Sequence, residues 1–179
     1  MYPDAPCYCA DAGADLCYAA EVVPDALIGD MDSLSKETRE WLQEAEVPEM
    51  VYPSEKDYSD TQLAAEALYE QGVDEIIVVG ALGGRMDHEL ANVMLLMTYG
   101  RKGKSLVFWD DINRMRYVGA GVHQLDRVDG LHYPLKDAKV PFGESRLISN
   151  VFDQEEVARI DIQYGDGILV LCKDRYSGI

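Results

Sequence analysis

The sequence predicts an α/β domain with a mostly parallel sheet over residues 1–109, followed by an all-β domain over residues 110–179. Three observations carry this. Short apolar runs alternate with helix-period segments in the first part, one of those runs is continuously apolar, and the second part breaks into short strand-like segments separated by Gly, Pro and Asp. A continuous run, unlike an alternating one, suits a strand of a parallel sheet covered on both faces.

The first run, Pro24 to Ile28, stops at Gly29 and reads as a strand. After a loop, Leu34, Thr38, Trp41, Leu42 and Ala45 recur at helical spacing. A second helix starts after Tyr58, where Ser59 and Gln62 stand at capping-box spacing; Leu63, Ala64, Ala67 and Leu68 share one face, and the helix ends near Gly72. Glu75 to Val79 is the continuously apolar strand. A third helix is expected from about Asp87 to Tyr99 with Leu90, Val93, Met94 and Met97 inward, and Ser105 to Trp109 is the next strand. Beyond Asp110, the segments Met115–Val118, Arg146–Ile148, Val157–Ile162 and Ile168–Cys172 read as strands.

A formal net charge of -17 repels nucleic acid and anionic lipid, whose binding rests on clustered Lys and Arg, so no nucleic-acid role is expected. The same charge repels a nucleotide, so a nucleotide site here needs a metal ion or a local Arg. No apolar run approaches the ~20 residues that span a bilayer, and no Lys/Arg-led apolar segment opens the chain; a soluble, cytoplasmic protein with no membrane partner is expected. Cys7, Cys9, Cys17 and Cys172 contain no C-x-x-C pair and are read as reduced thiols rather than zinc ligands.

Four carboxylates fall in two tight pairs, Asp30 with Asp32 and Asp57 with Asp60, each in a loop before a helix. Ligands of open α/β sheets bind beyond the carboxyl ends of the strands, so loops on that edge would bring the pairs together. Four bare carboxylates in one cleft repel each other, whereas Mg2+ takes Asp oxygens, waters and substrate phosphates. The competing explanation is capping, by Asp32 or Ser33 in one loop and by Ser59 or Asp60 in the other, although one cap per helix would suffice. The segment Gly80-Ala81-Leu82-Gly83-Gly84-Arg85-Met86-Asp87-His88 follows the strongest strand and precedes a helix. Backbone N–H groups of this glycine-rich turn can approach phosphate oxygens there, and the Arg85 fork matches phosphate geometry. Asp87 has the alternative of capping the helix, and His88 is either a general base or a surface histidine.

Asp11-Ala12-Gly13-Ala14, Gly29 to Ser33, Tyr52 to Thr61 and Gly80 to His88, in this order and spacing, together with Ser149-Asn150, closely resemble the bacterial thiamine pyrophosphokinases. The resemblance implies an ATP- and Mg2+-binding α/β domain, a C-terminal β-sandwich that binds thiamine, and a homodimer with its thiamine sites between subunits. It implies that Asp30, Asp32, Asp57 and Asp60 are the metal and phosphate carboxylates, that Asp11 is a further acidic position of the active site, and that Gly84, Arg85, Asp87 and His88 belong to the nucleotide site. Asp32, Asp57, Asp60, Arg85 and Asp87 then carry the reaction, with Asp87 or Asp57 the expected proton acceptor. Ser149 and Asn150 would meet the aminopyrimidine, whose ring nitrogens and amino group a hydroxyl and an amide can satisfy. The chain has Ala12 where the family has a second Gly, only Met1 to Ala10 precede that motif, and the stretch between Gln124 and Leu131 looks short by a strand. The implied reaction is attack of the thiamine hydroxyl on the β-phosphorus of Mg-ATP, with AMP leaving. The rival readings are a diphosphokinase of the same architecture acting on a pterin alcohol, and a non-catalytic binder of thiamine or nucleotide.

Overall fold

The computed structural model describes residues 5–52, 58–126, 130–131, 152–153 and 157–172. In chain order these form β1 (Tyr8–Ala10), a 3-10 turn (Asp11–Gly13), α1 (Ala14–Ala19), β2 (Ala26–Gly29), α2 (Lys36–Glu44), β3 (Glu49–Val51), α3 (Asp60–Glu70), β4 (Glu75–Val78), α4 (Met86–Arg101), β5 (Ser105–Trp109) and β6 (Asn113–Val118). Five further strands follow: β7 (Gly121–Asp126), β8 (Gly130–Leu131), β9 (Phe152–Asp153), β10 (Val157–Ile162) and β11 (Gly167–Cys172). Among the described residues no helix is long and apolar enough to cross a membrane.

The chain folds as two compact units, one of residues 1–117 with 168–179 and the other of residues 118–167. In the first, β1, β2 and β3 pair in parallel, with Cys9 opposite Leu27 and Ile28 opposite Met50. A four-stranded sheet of order β11-β6-β5-β4 joins β4 to β5 in parallel and β5 to β6 antiparallel. A single cut at residue 109 therefore does not coincide with the compact units, because β6 and β11 extend the sheet of the first one. In the second unit β10 pairs antiparallel with β7, and β8 with β9. Arg146 to Ile148, read as a strand from the sequence, lies outside the described residues.

Two apolar clusters form the core of the first unit. Leu27, buried on β2, packs with Cys9, Ala14, Met31 and Leu42. Leu68 and Tyr69 of α3, Ile76 of β4, Leu95, Leu96 and Tyr99 of α4, and Leu106 and Phe108 of β5 form the other. The inward face of α4 differs from the one the spacing predicts: Leu90 and Met94 are exposed, at 56% and 54%, while Leu95, Leu96 and Tyr99 are buried. The apolar residues of this helix fall on more than one face, so its periodicity offers more than one stripe and packing selects among them. Likewise only Ile76 of the run from Glu75 to Val79 is buried; β4 ends its sheet, and Val79 has already left the strand.

The helix starts decide what the nearby carboxylates are free to do. Ser35, not Asp32 or Ser33, caps α2, its Oγ accepting from the Thr38 N–H at 3.2 Å. Ser59 caps α3 as its spacing with Gln62 predicts, accepting from the Gln62 N–H at 3.2 Å. Neither aspartate pair is needed for capping. Ser59→Ala is expected to lower stability by about 1 kcal/mol in urea unfolding, and Ser59→Asp to restore it; equal midpoints for wild type and Ser59→Ala would contradict this cap.

Candidate active site

Two adjacent parallel strands end in acidic turns. Ala10 of β1 lies opposite Ile28 of β2, so Asp11, just past β1, and Asp30, just past β2, emerge at the same edge. Oxygens of Asp11, Asp30 and Asp32 lie within 4.8 Å of one another, with Asp11 and Asp30 partly buried and Asp32 exposed. Asp60, the first residue of α3, joins them from the side: a Cβ placed on Gly29 would stand 3.1 Å from its Oδ1 and 3.2 Å from the Asp11 Cβ. Gly29 thus keeps open the space in which β2 meets both carboxylates, at a φ of 144° that disfavours any side chain.

The turn itself is strained. Asp11 and Met31 hold positive φ of 44° and 65°, which L-residues with side chains rarely adopt. Met31 is held by burial and by the Arg39 guanidinium of α2, which donates to the Met31 carbonyl. The Asp32 N–H donates to Asp30 Oδ1 at 3.3 Å, and the Ser33 hydroxyl donates to Asp32 Oδ1 at 3.0 Å. Behind the turn, Asp15 accepts from the hydroxyls of Ser35 and of the fully buried Thr38, tying α1 to the start of α2.

Burial raises the Asp11 carboxyl above its ordinary value; the Ser33 hydroxyl and the Ala12 amide oppose the rise, and the charges of Asp60 and Asp30 add to it. Its Oδ1 is buried with no hydrogen-bond partner among the described residues. A buried carboxylate oxygen left unpartnered beside two other carboxylates is costly unless a cation completes it. An all-carboxylate donor set, with Asp32 open to water, fits a hard divalent cation that keeps several waters.

Of the metal residues expected from the sequence, the structure groups Asp30 and Asp32 with Asp11 and places Asp60 beside Gly29 on the Asp11 side, while Asp57 lies outside the described residues, as do Ser149 and Asn150. Asp11 was not among the metal residues the sequence singled out, yet it is central. Like Asp30, it follows directly on a strand of the same parallel sheet, but β1 is too short to be read as a strand from the sequence.

The glycine-rich turn forms a second polar group at the start of α4. Gly80 and Gly83 take φ of 77° and 100°, the Gly83 N–H donates to Glu89 at 2.8 Å, and the Asn92 amide donates to the Ala81 carbonyl at 3.0 Å. Gly84, Arg85, Asp87 and His88 are all exposed here. Arg85 grips Asp87 with two hydrogen bonds, from Nε at 3.1 Å and Nη2 at 2.6 Å, leaving its remaining N–H donors for an anion. Asp87 also accepts from the His88 N–H at 3.0 Å. Chiefly through the Arg85 hydrogen bond, the Asp87 carboxyl is lowered from 3.8 to about 2. Because the folded-state value is the lower one, the pair's contribution is complete above pH 3.8 and is lost as pH falls toward 2. NMR titration of the side-chain carboxyls is expected to find Asp87 near 2 in the wild type and back near 3.8 in Arg85→Met; an unmoved midpoint would dissolve the pair.

With the geometry in place, the comparisons with known proteins fall on the same segments. The thiamin pyrophosphokinase catalytic domain profile matches residues 5–108, which hold both groups, and the thiamin pyrophosphokinase vitamin B1 binding domain profile matches residues 124–169. The chain belongs to the thiamin pyrophosphokinase family. The thiamine pyrophosphokinase of Bacillus subtilis (strain 168) is 25% identical over 183 residues, spanning 91% of this chain and 84% of that protein. Its counterpart from Oryza sativa, thiamine pyrophosphokinase 1, is 32% identical over 82 residues, spanning 42% of this chain and 31% of that one. The crystal structure of the Bacillus subtilis thiamine pyrophosphokinase shares the fold with a TM-score of 0.83 at 23% identity, over 92% of this chain and 85% of that one. A thiamin pyrophosphokinase family protein from Enterococcus faecalis gives 0.76 at 29% identity, over 94% and 88%.

Proposed function

We infer that this chain is a thiamine diphosphokinase, which transfers the pyrophosphoryl group of ATP to the hydroxyl of thiamine and releases AMP. The vitamin B1 binding profile over 124–169 favours thiamine over a pterin alcohol as acceptor, and the carboxylate cluster favours a catalyst over a binder that never turns over. The observation that carries the reading is the meeting of Asp11, Asp30 and Asp32 at the carboxyl ends of β1 and β2, inside the segment matched by the catalytic profile.

We propose that Asp11, Asp30, Asp32 and Asp60, together with Asp57, hold Mg2+. Mg2+ bound there supplies positive charge to the ATP phosphates and orients them for attack at the β-phosphorus. The protein's own part is positioning and charge. Backbone N–H groups of the turn around Gly84 and the free donors of Arg85 face the phosphates, and His88 stands at the same helix start. Asp87, already held by Arg85 and strongly acidic, is a poor proton acceptor; its role is to aim the fork, and Asp57 is left as the acceptor of the hydroxyl proton.

The acceptor half of the reaction falls to residues 118–167 as a thiamine-binding β-sandwich, with Ser149 and Asn150 on the aminopyrimidine. A homodimer with thiamine sites between subunits suits the exposed stripe of Met86, Leu90 and Met94 along α4, which asks for a covering partner. A cytoplasmic location suits the free cysteines.

The test is incubation of the protein with ATP, Mg2+ and thiamine, following AMP and thiamine diphosphate by chromatography. Thiamine-dependent AMP formation is expected; a pterin alcohol that supports turnover where thiamine does not would replace the acceptor, and binding without turnover would replace the reading.

A further inference from the structure

The turn between Asp30 and Asp32 has to be held in a backbone state its residues do not favour. Met31 sits at φ 65° with only 6% of its surface exposed, so its side chain is turned into the cluster of Cys9, Ala14, Leu27 and Leu42. That inward turn throws its two neighbours outward, and Asp30 and Asp32 come within 4.8 Å of Asp11 and of each other. Three carboxylates so placed repel one another, and the repulsion acts to open the turn whenever no cation is bound.

Arg39 opposes this opening. It lies in the first turns of α2, its N–H bonded to the Ser35 carbonyl at 3.0 Å, and Ser35 and Thr38 are tied to Asp15 of α1. The helix that carries Arg39 is thereby fixed to the first core, and its guanidinium reaches back to the Met31 carbonyl. We propose that Arg39 is a positioning residue for the reaction: by gripping the Met31 carbonyl, it holds Asp30 and Asp32 as a preformed chelate. Arg39 is itself exposed, so its removal opens no cavity in the core. This inference rests on the reading of the aspartate cluster as a divalent cation site.

The experiment measures binding of Mn2+ alone, by EPR of the free ion, to the full chain as wild type, Asp32→Asn, Arg39→Lys and Arg39→Met, with melting temperature and the Mg2+ dependence of turnover alongside. Wild type is expected to bind and Asp32→Asn to lose the tight site. Arg39→Met is expected to weaken Mn2+ by about tenfold, the size of effect seen when the groups that orient a metal site are removed, with its melting temperature nearly unchanged. Its KM for Mg2+ rises while kcat at saturating Mg2+ recovers, and Arg39→Lys, which keeps charge but not the fork, falls between. Wild-type affinity in Arg39→Met overturns the positioning role and leaves the metal site standing. Equal binding by wild type and Asp32→Asn removes the metal site itself. Should Arg39→Met not fold, Arg39→Lys decides: weaker Mn2+ with normal melting supports the proposal, and unchanged Mn2+ affinity or a further failure to fold overturns it.

Discussion

Asp32→Asn is expected to fold and melt like the wild type and to lose activity on the order of a hundredfold or more in kcat/KM, a barrier increase of about 2.7 kcal/mol. The substitution keeps the shape of the side chain and removes its charge. Asp32 is the exposed member of the cluster, so no packing is disturbed, and the Ser33 hydroxyl still finds an oxygen at this position. What changes is the charge available to a divalent cation shared with Asp11 and Asp30. Deleting one of three neighbouring negative charges also relieves repulsion in the metal-free protein, so its melting temperature should hold or rise slightly while activity collapses. That opposite movement separates a functional aspartate from a structural one. The measurement is AMP and thiamine diphosphate formation across a Mg2+ series, paired with a thermal melt; a fully active Asp32→Asn protein would remove Asp32 from the site.

The sequence made the short-range parts of this site readable. Asp30 and Asp32 share one loop, and Asp60 follows the Ser59 cap that its spacing with Gln62 announced. What brings Asp11 to them is the parallel pairing of β1 with β2, a contact between segments that no local pattern reports. The same limit explains the domain boundary. Met115 to Val118 and Ile168 to Cys172 were recognisable as strands, but that they join β5 in one sheet is decided by partners remote in the chain. In α4 the difficulty was different. Leu90, Val93, Met94 and Met97 satisfy the helical period, and so does the stripe through Leu95, Leu96 and Tyr99 that meets Phe108 and Tyr69. A helix with two apolar faces does not say which one belongs to its own core.

Gly29→Ala is the second large effect, and it tests whether the geometry of the cluster, rather than its charge, is what the fold protects. At φ 144° an alanine is strained whatever space surrounds it, at a cost on the order of 1–3 kcal/mol. Here the space is also occupied, because the new methyl would stand 3.1 Å from Asp60 Oδ1 and 3.2 Å from the Asp11 Cβ. Both neighbours belong to the site, so relief of the clash must move a carboxylate. Gly72→Ala is the matched control: it too carries a positive φ, of 84°, but meets nothing within 4 Å. Both variants should lose stability in urea through the backbone alone, and only Gly29→Ala should lose Mn2+ affinity and turnover beyond that common loss. If the two lower stability alike and Gly29→Ala still binds Mn2+ as the wild type does, then Asp11 and Asp60 tolerate displacement, and the close approach at Gly29 belongs to the fold of β2 rather than to its chemistry.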